Sequence, residues 1–200
     1  MRSSFTTVAL AFALAARVLA ADSEPLVDIA RACPDIQIEL RYATPRNFTG
    51  KPIYPENARA LVLPNVAAKL NRAQRTLPAL GFGLKVWDAY RPKWAQQALW
   101  DAAHNRSYVV EPVGFGSLHS WGAAVDVTLV DSHGREVRMP TDYDDFTPAA
   151  RYDYTGGDAE IAANLNALKH AMAEAGFQHI RDEWWHYSVT EGIKDMAAKK

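Results

Sequence analysis

The chain has 200 residues, of which 48% are hydrophobic and 22% charged, and its 22 basic and 23 acidic side chains nearly cancel. This apolar content excludes a disordered chain, and the near-zero net charge gives no electrostatic footprint for nucleic acid. A single cysteine, Cys33, excludes a disulfide scaffold and a Cys-rich zinc finger, and we expect it to be a small buried residue. The length predicts one domain with a sizeable core.

The first twenty residues are typical of a secretory signal peptide. Arg2 precedes an uncharged, mostly apolar run over 5–16, and the small-residue pattern V-L-A at 18–20 suits cleavage. About a dozen residues match the core of a signal peptide, whereas a membrane span needs roughly 20. We therefore expect residues 1–20 to be removed on export to the periplasm, leaving one domain over 21–200. The alternative is a buried N-terminal helix.

The remaining chain divides into short apolar segments separated by Gly- and Pro-containing loops. Apolar alternation, turn residues and aromatic content predict strands at 36–42, 83–90, 123–130, 135–139 and 183–189. Helical spacing predicts helices at 64–77, at 92–104 and from near Asp158 to Gly176. Because strands and helices do not alternate regularly, we expect an α+β fold with a mainly antiparallel central sheet flanked by helices.

His119 and Asp126 form the first segment with more polar chemistry than a fold requires. His119 ends a Gly-containing loop, and Asp126 lies inside the apolar strand predicted at 123–130. A carboxylate in mid-strand is costly unless it has a strong partner, and a metal ion is one such partner. The gap between the two residues lets the loop fold back, so both can reach one point. A solvated strand face around Asp126 is the open alternative.

Glu183 and His186 form a second such segment, E-W-W-H. A glutamate close to a histidine recurs in zinc hydrolases, because the ion and its water need a ligand and a base together. Residues three apart on a straight strand face opposite sides. Glu183 must therefore lie in the loop before the strand, or a bulge must intervene. The two tryptophans can equally be core residues beneath the sheet.

Arg91 lies in a third segment, D-A-Y-R-P, between a predicted strand and a predicted helix. It is either an ordinary surface arginine or a fixed cation aimed into a cleft. Two histidines and an aspartate suit catalytic zinc with an open position. With Glu183 as a base and Arg91 as an anion stabiliser, they are equipped for metal-assisted acyl hydrolysis. A serine-hydrolase elbow is excluded because Leu118 stands two before Ser120, where glycine is needed.

These segments resemble the zinc D-alanyl-D-alanine dipeptidases of the VanX type, a branch of the zinc D,D-peptidases. The resemblance rests on S-x-H-S-x-G-x-A-V-D at 117–126, E-W-W-H at 183–186 and D-x-Y-R-P at 88–92. It continues in R-Y-A-T at 41–44 and N-F-T-G-K-P at 47–52. The first of these motifs is shared with the wider zinc D,D-peptidases, whereas N-F-T-G-K-P and E-W-W-H narrow the resemblance to the dipeptidases.

The resemblance implies one zinc ion per chain, held by His119, Asp126 and His186. It implies that Glu183 is the general base, which takes a proton from the attacking water. It also implies that Arg91 stabilises the tetrahedral oxyanion. The expected reaction is hydrolysis of D-Ala-D-Ala to two D-Ala, as part of cell-wall peptide metabolism.

Four further residues match positions that recognise the two ends of the dipeptide. Asp144 stands where the family places a carboxylate for the substrate ammonium, and Asp88 resembles a second acidic contact near that end. Tyr42 and Ser117 match positions that meet the substrate carboxylate. Recognition of both termini disfavours longer peptides, whose chain continues where a charge is expected.

Other readings of the same residues remain open at this point. One is a D,D- or L,D-carboxypeptidase or endopeptidase that acts on peptidoglycan stem peptides. Another is a non-catalytic zinc-bearing module, which the retention of Glu183 and Arg91 disfavours. Two departures from the family pattern, Trp121 in place of Arg and Pro140 in place of Gly, leave fine specificity open. The sequence indicates a small dipeptide substrate, and no membrane span or protein partner.

Overall fold

A computed structural model describes residues 25–191 and residue 193. The predicted signal peptide, residues 1–20, lies outside the described residues. Among those that are described, no helix combines the length and hydropathy that crossing a membrane requires. The elements, in chain order, are β1 (Val27–Asp28), α1 (Ile29–Ala32), β2 (Gln37–Ile38), β3 (Leu61–Val62), α2 (Pro64–Thr76), β4 (Phe82–Asp88), α3 (Lys93–Ala102), β5 (Ala124–Asp131), α4 (Ala159–Glu174), β6 (Gln178–His179) and β7 (His186–Ser188).

A five-stranded sheet with the order β2-β4-β5-β7-β6 forms the centre of the fold. Only the β2–β4 pair is parallel, and the other three pairs are antiparallel. β1 and β3 pair separately as a short antiparallel ribbon. The prediction of an α+β domain with a mainly antiparallel sheet is therefore confirmed.

The central strand β5 is buried on both faces. Every residue from Ala124 to Val130 is buried, including Asp126, which is 2% exposed. The solvated strand face that remained open for Asp126 is therefore wrong, because other elements cover that face. Cys33 is also fully buried, as predicted, and its Sγ donates to the carbonyl of Ala67 at 3.4 Å.

The three long helices begin where local chemistry favours a helix start. Pro64 occupies the first turn of α2, where its missing N–H and its fixed φ cost nothing. Asp158 caps α4, since its Oδ1 accepts from the backbone N–H groups of Glu160 at 3.0 Å and Ile161 at 3.2 Å. α3 follows Pro92 and is shorter than predicted, ending at Ala102.

Three predicted strands are shorter than expected or absent. In two of them other contacts take backbone groups, since the Tyr42 carbonyl accepts from Ile53 and Tyr54 and the Trp184 N–H donates to Ala150. Of the strand predicted at 36–42, only Gln37–Ile38 forms a strand, β2, and a 3₁₀ turn over Arg41–Ala43 follows it. The predicted return strand at 135–139 forms only one bridge, between Val130 and Glu136. The predicted strand at 183–189 is reduced to β7. β6, which pairs with β7, was not predicted.

Candidate metal centre and active site

The strand register aligns three site residues across the sheet. Asp126 on β5 pairs with Asp88 on β4 and with His186 on β7. A register shift between Val86 and Asp88, with Trp87 as the extra residue, brings Asp88 level with Asp126. The sheet therefore places two aspartates and a histidine side by side, although they lie far apart in sequence.

His119 joins this row from a 3₁₀ turn, Leu118–Trp121, that directly precedes β5. The Oγ of Ser117 accepts from the backbone N–H of His119 at 3.3 Å, which begins the turn. Gly122 ends it with a φ of 71°, in the left-handed region that glycine adopts at little cost. The loop thus folds back onto the strand as the spacing predicted.

One ligand atom from each of His119, Asp126 and His186 converges on one point. His119 Nε2 lies 3.1 Å from His186 Nδ1 and 3.3 Å from Asp126 Oδ1, and His186 Nδ1 lies 3.1 Å from the same oxygen. A tetrahedral zinc ion with ligands at about 2.0–2.1 Å has neighbouring ligands roughly 3.3 Å apart. Two imidazoles and one carboxylate, with a fourth position left open, are also a donor set that catalytic zinc accepts. These residues therefore fit zinc.

Hydrogen bonds behind the ligands orient them toward this point. His119 Nδ1 lies 2.8 Å from the carbonyl of Ala89, to which it donates because a carbonyl can only accept. That bond leaves the lone pair of Nε2 free for a metal ion. Asp126 Oδ2 accepts from the hydroxyl of Tyr143 at 2.8 Å, so its other oxygen faces the imidazoles. Burial works to raise the pKa of Asp126, but His119 and His186 hold it well below its ordinary value.

Glu183 lies in the loop before β7, the first of the two positions that the sequence left open. Its backbone carbonyl accepts from the N–H of His186 at 3.3 Å, and its Oε2 lies 3.9 Å from His186 Nδ1. Burial, reinforced by the carboxylates of Asp126 and Asp144, raises the pKa of Glu183 to about 8, against the opposing effect of His186. The carboxyl group therefore has a proton affinity suited to accepting and releasing a proton near neutral pH.

Arg91 is a fixed, buried cation and not an ordinary surface arginine. It is 8% exposed, and its Nε and Nη2 contact Asp88 Oδ2 at 2.9 and 2.8 Å. Its Nη1 donates to Gln96 Oε1 at 3.0 Å, and its guanidinium carbon lies 5.0 Å from the centre of the Tyr42 ring. Arg91 Nη2 is 3.6 Å from Asp126 Oδ2, so the cation lies beside the metal ligands.

Asp144 and Tyr42 form a second polar pair at the site. Asp144 Oδ1 accepts from the hydroxyl of Tyr42 at 3.2 Å, and Oδ2 accepts from the backbone N–H of Phe48 at 3.2 Å. Asp144 has a φ of 59°, in the left-handed region. Burial raises its pKa to about 7, although the Phe48 N–H and Arg91 favour its charged form. A carboxylate held this way in a buried site gains from a cationic partner.

These residues surround one cavity of about 400 Å³. It brings together eight of the nine predicted site residues: Tyr42, Arg91, Ser117, His119, Asp126, Asp144, Glu183 and His186. Apolar side chains, among them Leu99, Tyr108 and Phe146, line the rest of the wall. A cavity of this size takes a small molecule, and polar groups of both signs are present to orient it.

Asp88 is the one predicted site residue that does not line the cavity. It is fully buried behind Arg91, and the hydroxyl of Tyr54 donates to its Oδ1 at 2.7 Å. Its other oxygen takes both contacts from Arg91. This placement differs from the expected contact with a substrate ammonium, because neighbouring side chains already engage both oxygens.

Comparison with known proteins assigns the chain to a family. Residues 22–198 match the model of the M15 peptidases, whose description is D-ala-D-ala dipeptidase. The chain belongs to this family. It is 36% identical over 170 residues to the D-alanyl-D-alanine dipeptidase of Escherichia coli, a match that covers 85% of this chain and 87% of that one. It is 35% identical over 177 residues to the D-alanyl-D-alanine dipeptidase of Enterococcus faecalis, covering 78% of this chain and 87% of that one.

Among solved structures, a mutant of the vancomycin resistance D,D-pentapeptidase VanY in complex with Zn(II) aligns with a TM-score of 0.45. The alignment covers 71% of this chain and 81% of that chain, with 16% identity.

The two departures from the resemblance, Trp121 and Pro140, lie off the cavity wall, although Trp121 shares a 3₁₀ turn with His119. Trp121 stacks on Phe115 with ring centres 5.4 Å apart, and its Nε1 donates to the carbonyl of Phe115 at 2.8 Å. Neither Trp121 nor Pro140 is among the residues that line the cavity. Trp121 is linked to the site through the loop that contains Phe115, which continues into Gly116 and Ser117 at the cavity wall.

Sequence reasoning missed three side chains that hold the site residues in place. Tyr143 binds Asp126, Tyr54 binds Asp88, and Gln96 binds Arg91. Tyr143 stands next to Asp144, and Gln96 follows Arg91 by only five residues, so proximity to predicted residues was a usable signal. Tyr54 has no such signal, since it comes from a long irregular loop.

Proposed function

We propose that this chain is a zinc-dependent dipeptidase that hydrolyses D-Ala-D-Ala to two D-Ala. The observation that carries the proposal is the convergence of His119, Asp126 and His186 at one point of a single cavity, with Glu183 and Arg91 beside them. Membership of the M15 peptidase family supports the assignment to this substrate.

His119, Asp126 and His186 would hold the zinc ion. When bound, zinc lowers the pKa of water and polarises a carbonyl group. The Ala89 carbonyl and the Tyr143 hydroxyl would keep the ligand atoms of His119 and Asp126 directed at the ion. Each binds the atom of the same side chain that points away from the metal position.

Glu183 acts as the proton carrier of the reaction. Its carboxylate takes a proton from the attacking water and passes it to the leaving amine of the second D-Ala. Burial raises the pKa of Glu183 in the metal-free site, so its carboxylate is a stronger base than that of an exposed glutamate. Glu183 Oε2 lies 3.9 Å from His186 Nδ1, so the carboxyl group is next to the metal ligands.

Arg91 stabilises the negative charge that develops on the carbonyl oxygen. Among the described residues, Asp88 and Gln96 use three of its five N–H groups, which leaves one on each terminal nitrogen. Such a pair of charge-assisted donors, fixed before the substrate arrives, stabilises an oxyanion without reorganisation. We assign Asp88 to holding Arg91, because Asp88 is fully buried behind it.

Asp144 binds the ammonium end of the dipeptide in this proposal, and Tyr42 and Ser117 bind its carboxylate end. Asp144 is 8% exposed, and burial raises its pKa, so a bound ammonium further stabilises its charged form. A peptide that extends on the amino side of the first D-Ala has an uncharged amide, not an ammonium, next to this carboxylate. Longer substrates are therefore disfavoured.

A substrate panel tests this assignment. We expect turnover of D-Ala-D-Ala and at least a hundredfold lower kcat/KM for its N-acetyl form, because the acetyl group removes the ammonium that Asp144 recognises. A pentapeptide stem should also be a poor substrate. If the pentapeptide is cleaved while D-Ala-D-Ala is not, the protein is instead a carboxypeptidase or endopeptidase of peptidoglycan stem peptides.

We also propose that the protein is exported to the periplasm. The support is the composition of residues 1–20, with Arg2 before an uncharged run and a small-residue pattern at its end. Fractionation of cells expressing the full chain, with N-terminal sequencing of the product, tests this. We expect a periplasmic product that begins after Ala20, and an uncleaved cytoplasmic product would contradict it.

A further inference from the structure

Gln96 connects Arg91 to the loop that forms one wall of the cavity. Its side chain lies on α3 and is 1% exposed. Oε1 accepts from Arg91 Nη1 at 3.0 Å, and Nε2 donates to the backbone carbonyl of Val110 at 2.6 Å. Val110 lies in the loop over residues 105–117, which also contributes Gly116 and Ser117 to the cavity wall.

The hydrogen bond from Arg91 to Gln96 matters because the contacts to Asp88 alone leave the guanidinium able to rotate. Both contacts from Arg91 to Asp88 use the same oxygen, Oδ2. A guanidinium held at one oxygen can pivot about it, and the remaining donors would then sweep across the cavity. The bond from Nη1 to Gln96 Oε1 removes this rotation and fixes the direction of the two free N–H groups.

A glutamine is suited to this position because it accepts at one end of its amide and donates at the other. Glutamate would still accept from Arg91 but could not, when ionised, donate to the Val110 carbonyl. Methionine has a similar length and can do neither. Methionine therefore removes both hydrogen bonds, and glutamate removes only the one to Val110.

We propose that Gln96 is a positioning residue for the reaction, which fixes Arg91 and the loop over residues 105–117 in one geometry. The Gln96 amide directs the two free N–H groups of Arg91 at the oxyanion. Because the same amide binds Val110, the orientation of Arg91 depends on the position of the cavity wall. The role of Arg91 in this inference rests on the proposed dipeptidase function.

The test compares zinc-loaded Gln96→Met with Gln97→Met, the matched control. Gln97 is the next residue of α3, is exposed, and donates only to Asp101 on the same helix among the described contacts. With D-Ala-D-Ala, Gln96→Met should lower kcat about tenfold or more with KM within about threefold, because a transition-state contact is misaligned. Gln97→Met should keep both constants. Gln96→Glu should recover much of kcat, since it retains the contact to Arg91.

Two further measurements separate positioning from a merely structural role. In an Arg91→Ala background, Gln96→Met should cause no further loss of kcat, because the two residues act as a unit. Amide hydrogen exchange over residues 105–117 should accelerate in Gln96→Met and stay unchanged in Gln97→Met, and this readout needs no substrate.

The inference is overturned if Gln96→Met keeps the wild-type kcat, or if its effect is undiminished without Arg91. It is also overturned if exchange over 105–117 is unchanged in Gln96→Met. Failure of the proposed function looks different, since the wild-type protein would then not hydrolyse D-Ala-D-Ala while the exchange difference persisted.

Discussion

The hydroxyl of Tyr143 donates a hydrogen bond of 2.8 Å to Oδ2 of Asp126, while Oδ1 of the same carboxylate faces the two imidazoles. The two oxygens of Asp126 therefore have separate partners. Tyr143 fixes the rotation of the carboxylate, so a single oxygen is presented to a metal ion. This contact spans 17 residues of sequence and lies wholly in the buried interior.

Tyr143→Phe should weaken zinc binding about 10- to 100-fold, as loss of a hydrogen bond behind a metal ligand commonly does. The ring and its packing are kept, so the change reports the hydroxyl alone. Competition with a chromophoric chelator measures the zinc affinity directly. Unchanged affinity would show that Tyr143 does not orient Asp126.

Tyr187→Phe is the matched control for that experiment. Tyr187 is also buried, stands next to His186, and its hydroxyl has no hydrogen-bond partner among the described residues. Removing this hydroxyl should leave zinc affinity unchanged and the free energy of unfolding no lower than in the wild type. A loss of affinity equal to that of Tyr143→Phe would indicate general damage to the core.

Asp144→Asn should raise the KM for D-Ala-D-Ala about 10- to 100-fold, because the neutral amide cannot pair with the substrate ammonium. Asparagine tolerates the left-handed backbone that Asp144 adopts, so the loop should keep its shape. Steady-state kinetics at pH 8 measure the change. A KM equal to that of the wild type would remove Asp144 from the binding site.

The same substitution should stabilise the free protein at neutral and alkaline pH. Since the pKa of Asp144 is raised to about 7 in the folded protein, folding opposes its ionisation. The resulting cost is absent below the ordinary pKa near 4, grows as pH rises toward about 7, and is complete above it. Denaturant unfolding of both proteins in chelator should show an advantage for Asp144→Asn on the order of a few kcal/mol at pH 8 and none at pH 4. An advantage independent of pH would contradict this origin.

Arg91→Lys should lower kcat about 10²- to 10³-fold, as loss of a preorganised oxyanion donor does. A lysine ammonium lacks the planar fork, so it cannot contact Asp88 and Gln96 and still direct two donors at the oxyanion. Arg75→Lys, at an exposed position of α2, is the control and should keep the wild-type rate. A kcat for Arg91→Lys within threefold of the wild type would mean that charge alone suffices.

Glu183→Gln should lower kcat about 10²- to 10⁴-fold, the usual contribution of a general base, while zinc content stays at the wild-type level. Glutamine preserves the shape of the side chain and removes only its capacity to hold the proton. Metal analysis and turnover on the same sample separate the two effects. Loss of zinc together with activity would instead identify Glu183 as a ligand.

Much of the fold is predictable because the signals are local. Pro64 and Asp158 start helices through their own backbone chemistry, and the apolar residues around Asp126 specify a buried strand. The short strands are harder, since their pairing depends on neighbours far along the chain. Residues 135–139 form only one bridge where a strand was predicted.

The site residues show the same difference between features with local signals and features that depend on distant residues. His119, Asp126 and His186 lie in compact motifs, so the residues alone suggest them as candidate ligands, and the resemblance implies that they form one set. The contacts that orient them do not follow from those motifs. Tyr143 and Gln96 reach their partners from a loop and from a helix, and only the assembled fold shows that the strand register aligns Asp88, Asp126 and His186.

Removal and restoration of zinc in the purified protein tests the central claim most directly. We expect D-Ala-D-Ala hydrolysis to disappear with the metal and to return with one equivalent of zinc per chain, while His119→Ala loses both zinc and turnover. Hydrolysis that continues at the wild-type rate after complete removal of zinc would contradict a zinc-dependent dipeptidase.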